Sequence, residues 1–385
     1  MTAISSEQAT HITMLRHDLH RQPEISGEEE RTAARIVQEL THAGADHIWQ
    51  RLGGHGVAAE FRGAKHGPTV LIRCELDGLP IAEKSTLPHR SEVEGKGHLC
   101  GHDGHMCMVM GVALGLAKRP ARGRVILLFQ PAEETGFGAQ AVIDDPRWSE
   151  IRPDYAFAYH NVPGRPLGEI GLREGPANCA SRGMQILLHG KSSHAAAPED
   201  GVAPGAAIAH LMQHLPALSF GTILDSDFGL STLTHVRLGA PTFGIAPGEG
   251  ELRVTLRCMT DTRMARLIHE TQAILGQIDE RLEVAVNWHD IFSTVVNDIE
   301  ATDIARQAAC AQGLNIHEMD HPMRWSEDFG RLGLDGARAT MIFLGAGETQ
   351  PQLHNPDYDF PDTLLPLGAG LFLTIIAHIL SAHDG

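Results

Sequence analysis

Cys100-Gly101-His102-Asp103-Gly104-His105 is the densest group of potential metal ligands in this sequence. Thiolate and imidazole both suit zinc and other late first-row ions, although a buried cysteine or hydrogen-bonded core histidine is commoner than a ligand. A second group, Phe129-Gln130-Pro131-Ala132-Glu133-Glu134, follows directly on an apolar run. Carboxylates at the carboxyl end of a buried strand lie where open α/β sheets place their sites. Neighbouring side chains diverge in an extended segment. One carboxylate could then bind metal while the other faces the substrate as a general base. Taken alone, the pair is better read as two solvated acids opening a helix near Gly136, where the helix dipole favours them. His160 ends an apolar run, and His354 lies in Leu353-His354-Asn355-Pro356, soon after another. Either histidine alone is more often structural than a ligand. Together, four sheet-edge segments offer Cys, His, Glu, His and His, and that convergence favours a metal centre.

These segments need elements to hold them. Residues 12–20 read as an amphipathic helix, interrupted at Pro23. Ser26-Gly27-Glu28-Glu29 has the pattern of a capping box, opening a helix through Leu40 with Gly44 near its stop. Short apolar runs at 69–73, 125–129, 155–159 and 340–344 have the character of strands buried on both faces. Helical patterns at 106–118, 301–311 and 365–382 alternate with them, which predicts an α/β fold: a layered domain with a largely parallel central sheet. The middle of the chain differs. Strand patterns at 184–189, 233–238, 251–258 and 283–289, with helices at 203–215 and 263–281, give the β-α-β-β-α-β order of a ferredoxin-like α+β unit. The expected organisation is a domain built from 1–181 and 293–385, with a smaller domain, 182–292, inserted into it.

Composition limits the partners. The chain has 385 residues, 42% hydrophobic and 21% charged, which suits a protein with a substantial core and room for two domains. Its 31 basic and 48 acidic side chains leave a formal charge of -17. Such a surface repels nucleic acid and anionic membrane, so neither is an expected partner. The first ten residues lack the basic-then-apolar pattern of a signal peptide, and no apolar run reaches membrane-spanning length. The six cysteines are scattered, in keeping with reduced thiols and a cytoplasmic location.

Five ordered motifs resemble the M20 metallopeptidases, in particular their aminoacylase branch, which includes hippurate hydrolases and auxin-conjugate amidohydrolases. They are Cys-Gly-His-Asp-Gly-His, Gln-Pro-Ala-Glu-Glu, Ser193-His194-Ala195-Ala196, Ser326-Glu327-Asp328-Phe329 and Leu-His-Asn-Pro-Asp-Tyr. The likeness begins at Arg16-His17-Asp18-Leu19-His20 with Pro23-Glu24 and runs to the last helix. It implies a binuclear hydrolase that cleaves the amide bond of N-acyl amino acids, with two divalent ions (Zn, Mn, Co or Ni) held by Cys100, His102, Glu134, His160 and His354. It implies Glu133 as the general base, moving a proton from the attacking water to the leaving amine. Asp77 would orient a ligand. The inserted domain would serve as lid and dimerisation domain of a homodimer, with His194 reaching the partner subunit's site to polarise the scissile carbonyl. Arg257, on a strand of that domain, is a candidate cation for the substrate carboxylate, although a structural role suits it as well. The alternative within the fold is a dipeptidase or carboxypeptidase. The cysteine ligand argues against it, since peptidase branches more often place Asp or His there. Three positions depart from the family pattern: Glu75 stands where Asp is common, Gly244 where Asn is common, and Glu199 follows Pro198 where His is usual.

Overall fold

The computed structural model describes residues 3–222 and 225–381. Two compact units divide the chain: Met1–Ala177 with Val295–Met319 and Asp328–Gly385, and Asn178–Thr294 with Asp320–Glu327.

The first unit is an α/β fold around an eight-stranded sheet. Its order is His47–Leu52, Gly56–Arg62, Arg122–Gln130, Lys65–Glu75, Tyr155–Val162, Arg338–Gly345, Ile170–Leu172, Ile316–Glu318. The four central strands run parallel. The first two form an antiparallel hairpin at one edge, and Ile170–Leu172 runs antiparallel to Arg338–Gly345. The sheet is therefore mixed and mostly parallel. The apolar runs have the expected cause: Val70 to Ile72, Val125 to Phe129, Ala156 to Tyr159 and Met341 to Leu344 are buried throughout, so neither face needs polar residues. Because four adjacent strands point the same way, Glu75, Gln130, His160 and Gly345 collect along one carboxyl edge.

Helices cover the sheet. Ser6–Arg21 starts earlier than its apolar stripe suggests, because Ser5 and Gln8 cap it reciprocally. Glu30–His42 corrects the sequence reading: Glu29 is its N-cap with no side-chain cap bond, and Ser26 instead donates to Asp77 Oδ2 at 2.7 Å. The final helix is Leu364–Leu380, and its expected end at Ala382 lies outside the described residues. The edge hairpin was not anticipated. Its turn holds Gly53 and Gly54, both at positive φ, a pairing that favours hairpins. No described helix is long and apolar enough to cross a membrane.

The second unit has a four-stranded antiparallel sheet, ordered Gly229–Leu238, Glu249–Cys258, Ala180–His189, Glu283–Phe292. Along Ala180–His189 every second residue, Met184, Ile186 and Leu188, is buried. They pack with Ile208 and Leu211 of Gly205–His214 and Leu267 of Asp261–Leu275, the one-sided burial that alternation predicts. The second of these helices stops at Leu275, with Gly276 as C-cap, rather than continuing to Arg281.

The helix His102–Gly115 lies so close to Phe360 that a Cβ on Gly104 would fall 2.3 Å from a ring carbon. Phe360 is fully buried and has little room to yield. Gly104→Ala should therefore destabilise the fold by about 1–3 kcal/mol through overpacking, seen as a lowered Tm in thermal unfolding. An unchanged Tm would mean that this contact is slack.

Candidate metal centre

The carboxyl edge of the first unit's sheet gathers the ligand candidates. Cys100 lies in the segment leading into the His102–Gly115 helix, whose Gly101 N-cap has φ +87°. His160 is on strand Tyr155–Val162. Glu133 and Glu134 follow strand Arg122–Gln130, but in a turn and not in an extended segment, since Ala132 has φ +50°. The sequence expectation of divergence by strand alternation is corrected accordingly. The backbone N–H of His354 bonds to the Leu99 carbonyl at 2.8 Å, which holds this histidine beside Cys100.

Two three-residue groups share Cys100: Cys100, His102 and His160, and Cys100, Glu134 and His354. Within each, one donor atom per residue lies within 4.8 Å of the others. Cys100 Sγ is 3.6 Å from His160 Nε2, and His354 Nε2 is 3.8 Å from Glu134 Oε1. Glu133 Oε2 and Glu134 Oε1 each lie 3.9 Å from His102 Nε2. The cluster is buried at Cys100, His102 and His160 and opens at His354.

The imidazoles are oriented from behind. His102 Nδ1 donates to the Asp77 carbonyl at 2.8 Å, and His160 Nδ1 donates to the Asn161 carbonyl at 2.9 Å. Both rings are thereby fixed with Nε2 toward the cluster, as imidazole ligands commonly are. Among the described residues His102 Nε2 is buried without a hydrogen-bond partner, a position a cation would satisfy. The charges agree. Burial, with Glu134 and Glu133 nearby, pushes the Cys100 thiol well up, whereas a coordinated divalent ion would favour the thiolate. Burial alone would lower the His102 pKa, but Cys100, Glu75 and Asp77 raise it. Thiol, imidazoles and carboxylates in one buried cluster fit a pair of borderline-soft divalent ions.

A chain of buried polar pairings that sequence reasoning did not anticipate supports this edge. Asp328 Oδ1 accepts from Arg73 Nη2 at 2.7 Å and from Gln130 Nε2 at 2.9 Å. Arg73 also pairs with Glu75. Glu75 Oε2 accepts from His105 Nδ1 at 2.7 Å, and His105 Nε2 accepts the Asn161 N–H at 3.3 Å. Asn161 Nδ2 donates to the Tyr358 hydroxyl at 2.6 Å, and a Cβ on Gly101 would lie 2.5 Å from Asn161 Oδ1. Asn161 thus touches the segments bearing His102, His160 and His354. Its place directly after a ligand candidate, His160, near a strand end was the available signal. Behind the His102–Gly115 helix, Asp103 accepts from Arg16 at 3.1 Å and from His20 at 2.9 Å. Burial opposes a charged His20, yet Asp103 and Glu83 raise its pKa to about 10.

The remaining predicted residues are in the second unit. His194 is in the two-residue strand Ser193–His194, opposite Ile245. It is exposed, and its Nδ1 accepts the Ala196 N–H at 3.0 Å. Arg257 Nη1 donates to Ser326 Oγ at 3.0 Å and to the Arg324 carbonyl at 3.2 Å. Burial and then Arg324 lower its pKa.

Residues 71–378 match the model of peptidase family M20/M25/M40. The chain belongs to this family. An N-acetyl-L-cysteine deacetylase of Bacillus subtilis is 30% identical, over 93% of this chain and 85% of the relative. A hippurate hydrolase of Campylobacter jejuni is 28% identical, over 93% and 94%. The crystal structure of a Bacillus subtilis protein described as a dinuclear metal-binding peptidase from the M20 family superposes with a TM-score of 0.80 at 26% identity, covering 98% of this chain and 99% of that one. Membership in M20 agrees with the resemblance carried by the five motifs.

Arg73 is the cation between two buried carboxylates, so its loss should be costly. Burial alone would raise the Glu75 pKa, but Arg73 and then His105 hold it well below the usual carboxylate value. A depressed carboxylate stabilises the fold above its unfolded pKa, about 4.3, and loses that contribution as pH falls. Arg73→Met should therefore lower stability by about 3–5 kcal/mol at neutral pH, with a smaller deficit near pH 4, as measured by urea unfolding. A deficit that grows toward acid pH would contradict this charge assignment.

Proposed function

We propose that this chain is a binuclear metal-dependent amidohydrolase that cleaves N-acyl amino acids to a carboxylic acid and a free amino acid. The observation that carries this reading is the pair of ligand groups meeting at Cys100 beside Glu133. Membership in M20 and the likeness to relatives named as N-acetylcysteine deacetylase and hippurate hydrolase support the substrate class. Cys100, His102, Glu134, His160 and His354 would hold the ions. When bound, these ions would supply Lewis-acid chemistry, lowering the pKa of water and stabilising charge on the scissile oxygen.

Glu133 is nearly buried and lies beside His102, which suits a carboxylate that takes the proton of the attacking water and returns it to the leaving amine. Asp77 accepts from Ser26 Oγ and from the Glu134 N–H at 3.0 Å, and its carbonyl fixes His102. Asp77 therefore ties one ligand to another. Arg257 is our candidate for the substrate carboxylate: its guanidinium donates to a hydroxyl and a carbonyl, and forms no ion pair among the described residues. All six cysteines are free thiols, in keeping with the cytoplasm as the working compartment.

Purified protein reconstituted with Zn, Mn, Co or Ni should hydrolyse N-acetyl or N-benzoyl amino acids in preference to dipeptides. The reverse preference would replace this reading with a dipeptidase or carboxypeptidase. Glu133→Gln should retain metal but lose about 10²–10⁴-fold in kcat, because an amide cannot accept the proton. Turnover at the wild-type rate would remove Glu133 from this role.

The finer reading concerns the second unit, which we take as a ferredoxin-like lid and dimerisation domain. Support comes from its β-α-β-β-α-β order and from exposed Phe243 and Ile245 close to His194 in the fold. His194 would then act on the partner subunit's substrate. His194→Ala should be nearly inactive while remaining dimeric and metal-loaded. Mixing it with Glu133→Gln should regain up to about a quarter of wild-type activity if subunits exchange at random. Exchanged heterodimers that remain inactive, identified by native mass spectrometry, would rule out action in trans.

A further inference from the structure

We propose that Glu29 is the positioning residue that fixes the turn carrying Glu133 and Glu134. This inference rests on the reading of those two carboxylates given above. Glu29 is fully buried. It is the N-cap residue of Glu30–His42, yet its side chain caps nothing there. Instead Glu29 Oε1 accepts the N–H of Ala132, distant in sequence, at 2.8 Å.

Ala132 needs such an anchor. Its φ of +50° lies in the left-handed region, which residues bearing a Cβ rarely occupy unless their surroundings impose it. That left-handed residue turns the chain out of strand Arg122–Gln130, and the turn is then closed by Gly136 N–H to the Glu133 carbonyl at 2.8 Å. The result brings both carboxylates to the same distance from one imidazole nitrogen, His102 Nε2. An extended continuation of the strand would send neighbouring side chains to opposite faces.

The same short loop holds the other side of the turn. Ser26, three residues before Glu29, donates to Asp77 Oδ2, and that oxygen accepts the Glu134 N–H. Backbone amides on both sides of Glu133 are thus tied to residues 26–29, one directly and one through Asp77. Glu29 reaches the turn through the Ala132 N–H, so its influence passes through that backbone. A carboxamide keeps an acceptor oxygen at the same reach from the Ala132 N–H.

The test compares Glu29→Gln, which keeps an acceptor oxygen, with Glu29→Met, which has similar bulk and none. Two readouts are needed: Co(II) binding followed by absorbance titration, and kcat and KM for an N-acyl amino acid at saturating metal. Glu29→Met should weaken the looser Co(II) site about tenfold and lower kcat about tenfold or more, with KM within about threefold, since misplacement of reacting groups acts on the barrier. Glu29→Gln should stay within about threefold of wild type in both. If Glu29→Met does not fold, Glu29→Asp, one methylene too short to reach Ala132, takes its place with the same expectation. Wild-type Co(II) affinity and kcat in the variant lacking the acceptor would overturn the proposal, as would an equal loss in Glu29→Gln. A wild-type protein that binds Co(II) but hydrolyses no N-acyl amino acid would overturn the substrate reading instead, and the Co(II) titration would still decide the role of Glu29.

Discussion

The guanidinium of Arg73 lies fully buried between the carboxylates of Glu75 and Asp328, where the central strands end. Carboxylates crowd this edge: Glu75, Asp77, Asp103, Glu133 and Asp328 are all nearly or fully buried. Such density is tolerable only where cations and N–H donors compensate it. Arg73 compensates Glu75 and Asp328, while Arg16 and His20 compensate Asp103. Those cations sit behind the cluster of ligand candidates. At its front, the thiol of Cys100 is pushed toward its neutral form by burial and by Glu134 and Glu133, and the compensation that suits a thiol, imidazoles and carboxylates together is a divalent ion.

Much of this arrangement was legible in the sequence because it follows from period and direction. The apolar runs at 69–73, 125–129, 155–159 and 340–344 fall within strands that are buried on both faces. Once four such strands run parallel, residues at or just after their carboxyl ends must share one edge, which is why Glu133, Glu134 and His160 come together. Ser26 shows where local reasoning fails. Its spacing to Glu29 matches a capping box, but Asp77 offers a buried charged acceptor, and a hydrogen bond to a charged group is stronger than one to a backbone amide. The hairpin at 47–62 was missed because its apolar pattern is weak at the exposed edge strand, where alternation is only partial. The support chain was missed for another reason. Asp328 meets Arg73 across 255 positions of sequence, and no local pattern encodes a pairing of that separation.

Glu75 joins these two strands of argument. The family resemblance implies Asp there as the common residue, one methylene shorter. In this chain the carboxylate spans from the Arg73 guanidinium to His105 Nδ1. That bond makes His105 Nδ1 a donor and leaves Nε2 as the acceptor for the Asn161 N–H, so the tautomer of one imidazole follows from the reach of one side chain. Asn161 in turn supplies the carbonyl that fixes the His160 ring. A run of buried contacts therefore links the Arg73 guanidinium to the His160 ring through Glu75, His105 and Asn161. A shorter acid would need a different backbone approach to bridge the same two partners. The longer acid at position 75 thus meets both partners within the side-chain network.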